Sequence, residues 1–200
     1  MLNDRIEGAW VDAFQAVFEM CKIHPGEEIV LLSETQSRPL NVHLTELALG
    51  RMGCAPFRLE VPTPPMVPGP ILRSTGGTLA LTGQALAVKT LSEADVVIDL
   101  TLEGLMHARE TPQILKGGAR VMVVSNEHPE ALARTVPTPV LKDIAKAGVA
   151  RCREAAQMRV TSQAGTDLTG AMDGAATVGV WGWTDRPGTL AHWPGGIVVS

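Results

Sequence analysis

Two hundred residues with 45% hydrophobic content and a mean hydropathy of +0.13 supply a sizeable core, which excludes a disordered chain. A net charge of −4, a pI near 5.7 and scattered Lys and Arg leave no basic face for phosphates, which excludes nucleic acid and anionic membranes as partners. Three cysteines far apart (Cys21, Cys54, Cys152), with no CxxC pair, exclude a disulfide framework and a thiolate zinc site.

The chain opens on MLNDRIEGAWVDAF, which has acidic residues and no long apolar stretch, so it does not read as a secretory signal. No apolar run approaches the length of a membrane span, and a soluble, cytoplasmic protein is expected. Asn3 to Cys21 carries Ile6, Trp10, Phe14, Val17, Phe18 and Cys21 at the spacing of one helical face. Pro25 and Gly26 end that helix. EIVLLS (Glu28 to Ser33) predicts a first strand. A helix follows from Pro39 to Met52, with Leu40, His43, Leu44, Leu47 and Leu49 inward and Gly53 as its stop. FRLEV (Phe57 to Val61) predicts a second strand, completing one βαβ unit. Pro62 to Gly77, with five prolines, cannot form a regular ladder and predicts a surface excursion.

A short helix near Gln84 to Leu91 leads to the stretch around which the chain is organised, ADVVIDLTLEGLMHA (Ala94 to Ala108). Its apolar, β-branched run suits a strand buried on both faces. Asp99, Thr101, Glu103, Gly104 and His107 arrive where that strand should end, the place where ligands gather in open α/β sheets. The alternative is that Asp99 caps a turn and Glu103 faces water. Next come a helix near Thr111 to Lys116, a strand RVMVV (Arg120 to Val124), a short helix Pro129 to Thr135 and a longer one Val140 to Ala156. In the last, Ile144, Val149 and Cys152 share a side. Strands separated by helices predict an α/β fold, a parallel doubly wound sheet with flanking helices. There is no GxGxxG and no Walker loop, so nucleotide binding has no motif behind it.

From Met158 the pattern changes. MRVTSQAGTDLTGAMDG alternates about Ala164-Gly165-Thr166 and predicts an antiparallel hairpin, with Asp167 bonding turn amides. A glycine- and tryptophan-rich stretch (Val178 to Trp183), a HWPGG turn (His192 to Gly196) and a strand-like IVVS follow. That last strand has no evident partner, so residues 158–200 read as the first antiparallel strands of an incomplete, β-rich second domain after an α/β domain over 1–157.

The GTDLT hairpin (Gly165 to Thr169) with the downstream HWPGG turn resembles the thermophilic aminopeptidase (aminopeptidase T) superfamily. The stretch DLTLEGLMHARETPQILKGGARVMVV is more similar to one branch of it, the 2,5-dihydroxypyridine 5,6-dioxygenases of nicotinic acid degradation. That resemblance implies an oxidoreductase that opens an aromatic ring with non-haem Fe(II) and dioxygen. Ile197 stands where the aminopeptidases place a metal-binding glutamate, and an apolar side chain cannot ligate an ion. The dioxygenase iron site is a two-histidine-one-carboxylate set, with a His-x-Asp pair late in the chain. None of His24, His43, His107, His128 and His192 is followed two residues on by Asp. The resemblance therefore implies a front half, inactive alone, with its Fe(II) ligands outside this chain, no metal ligand within it, and a homo-oligomer when full-length.

Within that reading His192 is the catalytic candidate, a neutral imidazole able to bond a ring hydroxyl or shuttle a proton. Its alternative is to pack on Trp193. Glu103, Leu105 and His107 are candidate walls of a pocket for the small aromatic substrate, with a solvated loop as the alternative. Trp181 and Trp183 could stack on the substrate or serve as core. His24, His43 and His128 read as structural. A divergent metalloaminopeptidase and a non-catalytic scaffold or dimerisation domain are the competing functions.

Overall fold

The structure, a computed structural model, describes residues 5–65 and 76–199. Most of the predicted Pro62–Gly77 excursion and the first residues of the predicted amino-terminal helix lie outside the described residues. Helix α1 (Gly8–Met20) turns Val11, Phe14, Val17 and Phe18 inward, one stripe of a 3.6-residue period. Strand β1 (Ile29–Glu34) is buried at every position. Helix α2 (Pro39–Arg51) starts on Pro39, where a missing N–H costs nothing. Strand β2 (Phe57–Val61), helix α3 (Ala85–Glu93), strand β3 (Val96–Asp99), helix α4 (Thr111–Lys116), strand β4 (Arg120–Val124) and helix α5 (Pro129–Ala133) follow as the sequence predicts, within a few residues at their ends.

With a strand β8 at Leu190–Trp193, the strands form a five-stranded sheet in the order β2-β1-β3-β4-β8, with every neighbouring pair parallel. Its fifth member, β8 (Leu190–Trp193), corrects the sequence reading, which placed His192 and Trp193 in a turn. Val121↔Leu190 and Val123↔His192 set the register. One sheet face (Val30, Leu32, Val97, Val121, Val123) packs with Val88 and Leu91 of α3 and Ile114 of α4. On the other, Phe14 of α1 meets Trp193 edge-on with ring centroids 5.0 Å apart, and α1 packs against α2 and α5. Trp193 is fully buried, and its Nε1 donates to the Thr135 carbonyl at 2.9 Å. Helices on both faces of a parallel sheet are the expected doubly wound arrangement.

The chain divides into two compact units, Met1–Val136 with Gly182–Pro194 and Pro137–Trp181 with Gly195–Ser200. Neither is continuous in sequence, because β8 returns to the first sheet. The second unit holds helix α6 (Pro139–Glu154), the hairpin β5 (Gln157–Thr161) and β6 (Asp167–Ala171), and the antiparallel pair β7 (Val178–Val180) and β9 (Ile197–Val199). The last strand, read from sequence as lacking a partner, thus pairs with β7. Gly179 packs on α6, where a Cβ would lie 2.9 Å from Val149 Cγ2.

Several side chains depart from their expected orientation, among them Ile6, which precedes α1 and is 38% exposed. Leu47 and Ile144 are exposed at 45% and 62%, while Thr45 and Ala145 beside them are buried. Asp167 bonds no turn amide; it forms a two-point pair with Arg159 at 2.8 and 2.9 Å across the hairpin, which holds its carboxyl below the usual range. Ser162 Oγ accepts the turn amide of Thr166 instead, at 3.2 Å.

Candidate functional site

The strand order reverses direction between β1 and β3, so the chain leaving each strand diverges and opens a crevice at their carboxyl ends. Two carboxylates end there. Glu34 closes β1 at 2% exposure and Asp99 closes β3 at 0%. Thr78 Oγ1 donates to Glu34 Oε1 at 2.7 Å, and Ser37 Oγ accepts from the Glu34 amide at 2.7 Å. Asp99 Oδ1 accepts from Thr101 N at 3.0 Å and Thr101 Oγ1 at 2.7 Å, while Oδ2 accepts from Leu105 N at 2.6 Å. Burial pushes the Asp99 carboxyl up from 3.8 to about 6; the bonds from Thr101 and Leu105 oppose that, and the charge of Glu34 adds to it.

Asp99 does cap a turn, as one sequence reading allowed, and it also belongs to a row across the sheet. Leu32↔Asp99, Asp99↔Val123 and Val123↔His192 are register partners. Register partners point to the same face, and neighbouring strands lie ~4.8 Å apart, which puts Asp99 and His192 ~10 Å apart on one face. The loop after β3 folds over this row. Gly104 adopts φ +77° above Val123, and a Cβ there would stand 3.0 Å from Val123 Cγ1.

Glu103, Leu105 and His107 lie in the loop after β3, and His192 lies two strands from Asp99 in the same register row. Glu103 is half-buried and His107 exposed. The His107 amide donates to the Gly76 carbonyl, and Gly77 backs the His107 main chain. Leu105 is fully buried in the core against α3 and α4, so its side chain anchors the loop from below and presents no surface to a ligand. His192 is half-buried; burial lowers its imidazole below 6.5, against hydrogen bonds with the main chain of Pro194 and of His192 itself, so the ring is neutral at neutral pH. Trp183 is 6% exposed in the first unit. Trp181 belongs to the second, with Lys142 Nζ 5.1 Å from its ring centroid. Trp183 stands next to Thr184 and Asp185 at the amino ends of the strands, where Asp185 pairs with Lys22 at 3.5 Å.

His24 bonds the Pro25 carbonyl, His43 pairs with Glu46, and His128 Nδ1 caps α5 through the Glu130 amide, so all three do structural work. Sequence reasoning missed Glu34 and Thr78, which lie 44 positions apart. The available signal was the polar Ser33-Glu34 closing an otherwise apolar strand. The second unit carries an open groove of about 440 Å³ lined by Lys146, Val149, Arg153, Val178 and Trp181; of the candidates it contains Trp181 alone.

Among the described residues no three His, Cys, Asp or Glu side chains come together as a metal-binding group. Glu34 Oε1 already accepts from Thr78, and both Asp99 oxygens accept from Thr101 and Leu105. The described donor set does not fit a two-histidine-one-carboxylate iron site. No helix is long and apolar enough to cross a membrane among the described residues.

A family profile for 2,5-dihydroxypyridine 5,6-dioxygenase matches residues 9–200. The 2,5-dihydroxypyridine 5,6-dioxygenase of Pseudomonas putida is 30% identical over 189 residues, covering 94% of this chain and 53% of that protein. The solved structure of the 2,5-dihydroxypyridine dioxygenase from Pseudomonas putida KT2440 matches at a TM-score of 0.82 and 29% identity, over 97% of this chain and 56% of that one. The chain spans about half the length of these relatives. With a profile match that runs through the sheet, the Asp99 loop and β8 alike, the chain belongs to the 2,5-dihydroxypyridine 5,6-dioxygenase family.

Proposed function

We propose that this chain carries the substrate-side portion of a non-haem Fe(II) dioxygenase that cleaves the ring of 2,5-dihydroxypyridine or a related hydroxylated N-heteroaromatic. The observation that carries the reading is the family match over residues 9–200. The position of Glu103 and His107 in the loop after β3, and of His192 in the register row of Asp99, supports it. Fe(II), whose part is the redox chemistry of dioxygen, is held by residues outside those described here.

The chain's own groups bind and handle protons. His192, neutral at physiological pH, accepts a proton from a ring hydroxyl. Glu103 and His107 border the site from the loop above the β3–β4 row, and Leu105 holds that loop to the core.

The test is oxygen uptake by the protein from the full reading frame, reconstituted with ferrous iron and given 2,5-dihydroxypyridine. Matched consumption of oxygen and substrate is expected, and His192→Asn should lower kcat by about a hundredfold, the share general acid–base catalysis commonly supplies. Iron-loaded protein that consumes neither would overturn the proposal. Turnover of amino-acid arylamides with cobalt or zinc would establish the peptidase reading instead.

A further inference from the structure

The loop after β3 is held by a hydrogen-bond network centred on one side chain. One buried carboxylate ties its two ends. Oδ1 of Asp99 takes both donors of Thr101, and Oδ2 takes the amide of Leu105, four residues on. Within the span, Thr101 Oγ1 accepts from Gly104 N at 3.2 Å, and the Gly104 carbonyl accepts from Thr78 N at 2.8 Å. Thr78 in turn donates to Glu34. Beyond the span, Thr111 Oγ1 donates to the Leu105 carbonyl and His107 N to the Gly76 carbonyl. Asp99 itself cannot move, because it stands in the row between Leu32 and Val123 at zero exposure.

We infer that Asp99 is a positioning residue: its fixed carboxylate sets the conformation of the Thr101–His107 loop and thereby where Glu103 and His107 stand. Only a carboxylate can do this. Both oxygens accept, and three donors converge on them from opposite sides. An amide would turn an NH2 toward either the Leu105 amide or the Thr101 pair, and one side of the clamp would be lost. The importance of Glu103 and His107 rests on the proposed function above; the clamp does not.

Amide hydrogen exchange on the intact chain tests the clamp. In Asp99→Asn, exchange at Gly104 and Leu105 should rise about tenfold or more, while β1, β3 and β4 keep their protection. Thr101→Val, which removes the hydroxyl yet keeps the shape, should do the same, and Thr101→Ser should restore the slow exchange. Should Asp99→Asn fail to fold, the Thr101 pair decides alone. Unchanged exchange in the loop, or an equal rise in the loop and the three strands, would overturn the inference.

A second measurement separates the clamp from the site. Titrating 2,5-dihydroxypyridine while following the His107 ring signals should give shifts in the unaltered protein and a several-fold weaker Kd in Thr101→Val, recovered in Thr101→Ser. Faster loop exchange with no His107 response to the ligand would overturn the placement of His107 at the substrate site and leave the clamp standing.

Discussion

At the scale of single residues, two positions under the Thr101–His107 loop are decided by magnitudes. Gly104 sits at φ +77° with 3.0 Å between an added Cβ and Val123 Cγ1. The left-handed conformation alone costs an L residue about 1–2 kcal/mol, and the close contact adds to it. Gly104→Ala should therefore destabilise by about 2 kcal/mol and lower Tm by about 6 °C, read by circular dichroism. A melting curve that overlays the unaltered protein would contradict the placement of the loop over Val123. Asp99 makes a prediction in pH. Its folded value, about 6, lies above its ordinary 3.8, so the folded state binds the proton more tightly. The stabilisation this gives is complete below 3.8 and is lost as pH rises through about 6, a difference of about 3 kcal/mol. His192 acts in the opposite sense, because its folded value is depressed; its contribution is present above 6.5 and lost as pH falls through the folded value. Urea titrations of the protein and of Asp99→Asn between pH 4 and 7.5 should therefore diverge, the unaltered protein gaining relative to the variant as pH falls. Parallel curves would show that Asp99 is not buried and charged at neutral pH.

At the scale of elements, what the sequence made legible follows from how each element is stabilised. β1, β3 and β4 are buried on both faces, so each reads as an apolar run with polar residues at an end, whatever surrounds it. Helices α2, α4 and α6 begin on a proline near the first turn, a local signal that needs no knowledge of the fold. β8 lacks such a signal. Leu190 to Trp193 is four residues long between glycine- and proline-rich stretches, and what makes it a strand is β4, nearly seventy positions away in sequence. The same holds for the site. Asp99, Glu103 and His107 are local to one loop and could be suspected together, whereas His192 joins their row only through the β4–β8 register, and Glu34 meets Thr78 only through the sheet order. The β5–β6 hairpin shows the converse. Its alternation is plain in the sequence, and the structure puts Met158, Val160 and Leu168 on one face and Arg159, Asp167 and Thr169 on the other, all exposed. An uncovered apolar face of this kind binds hydrophobic dyes. Val160→Thr with Leu168→Thr should reduce that dye fluorescence and leave the melting of the parallel sheet unchanged. A loss of sheet stability in this double variant would mean that the apolar face is packed.

At the scale of the whole molecule, the two units differ in how much they bury. The first packs Phe14, Phe18, Leu31, Leu32, Ile98 and Trp193 at 2% exposure or less around its sheet. In the second, the buried residues among those described are Pro137, Ala145, Met172 and Thr177. Val178 and Val199, register partners on β7 and β9, are exposed at 59% and 55%, on the face opposite the one Gly179 turns to α6. A two-stranded sheet with one uncovered face is marginal in water, and one helix beneath it adds little burial. Opening the second unit should therefore cost far less free energy than opening the first. Native-state hydrogen exchange should show β5, β6, β7 and β9 exchanging through local openings while β1, β3 and β4 exchange only with global unfolding. Trp181 belongs to the second unit and Trp183 and Trp193 to the first, so urea should change fluorescence in two steps, and Trp181→Phe should remove the earlier one. A single step that survives Trp181→Phe unchanged, together with equal protection in both sets of strands, would require the second unit to draw stability from contacts that its own sparse core does not supply.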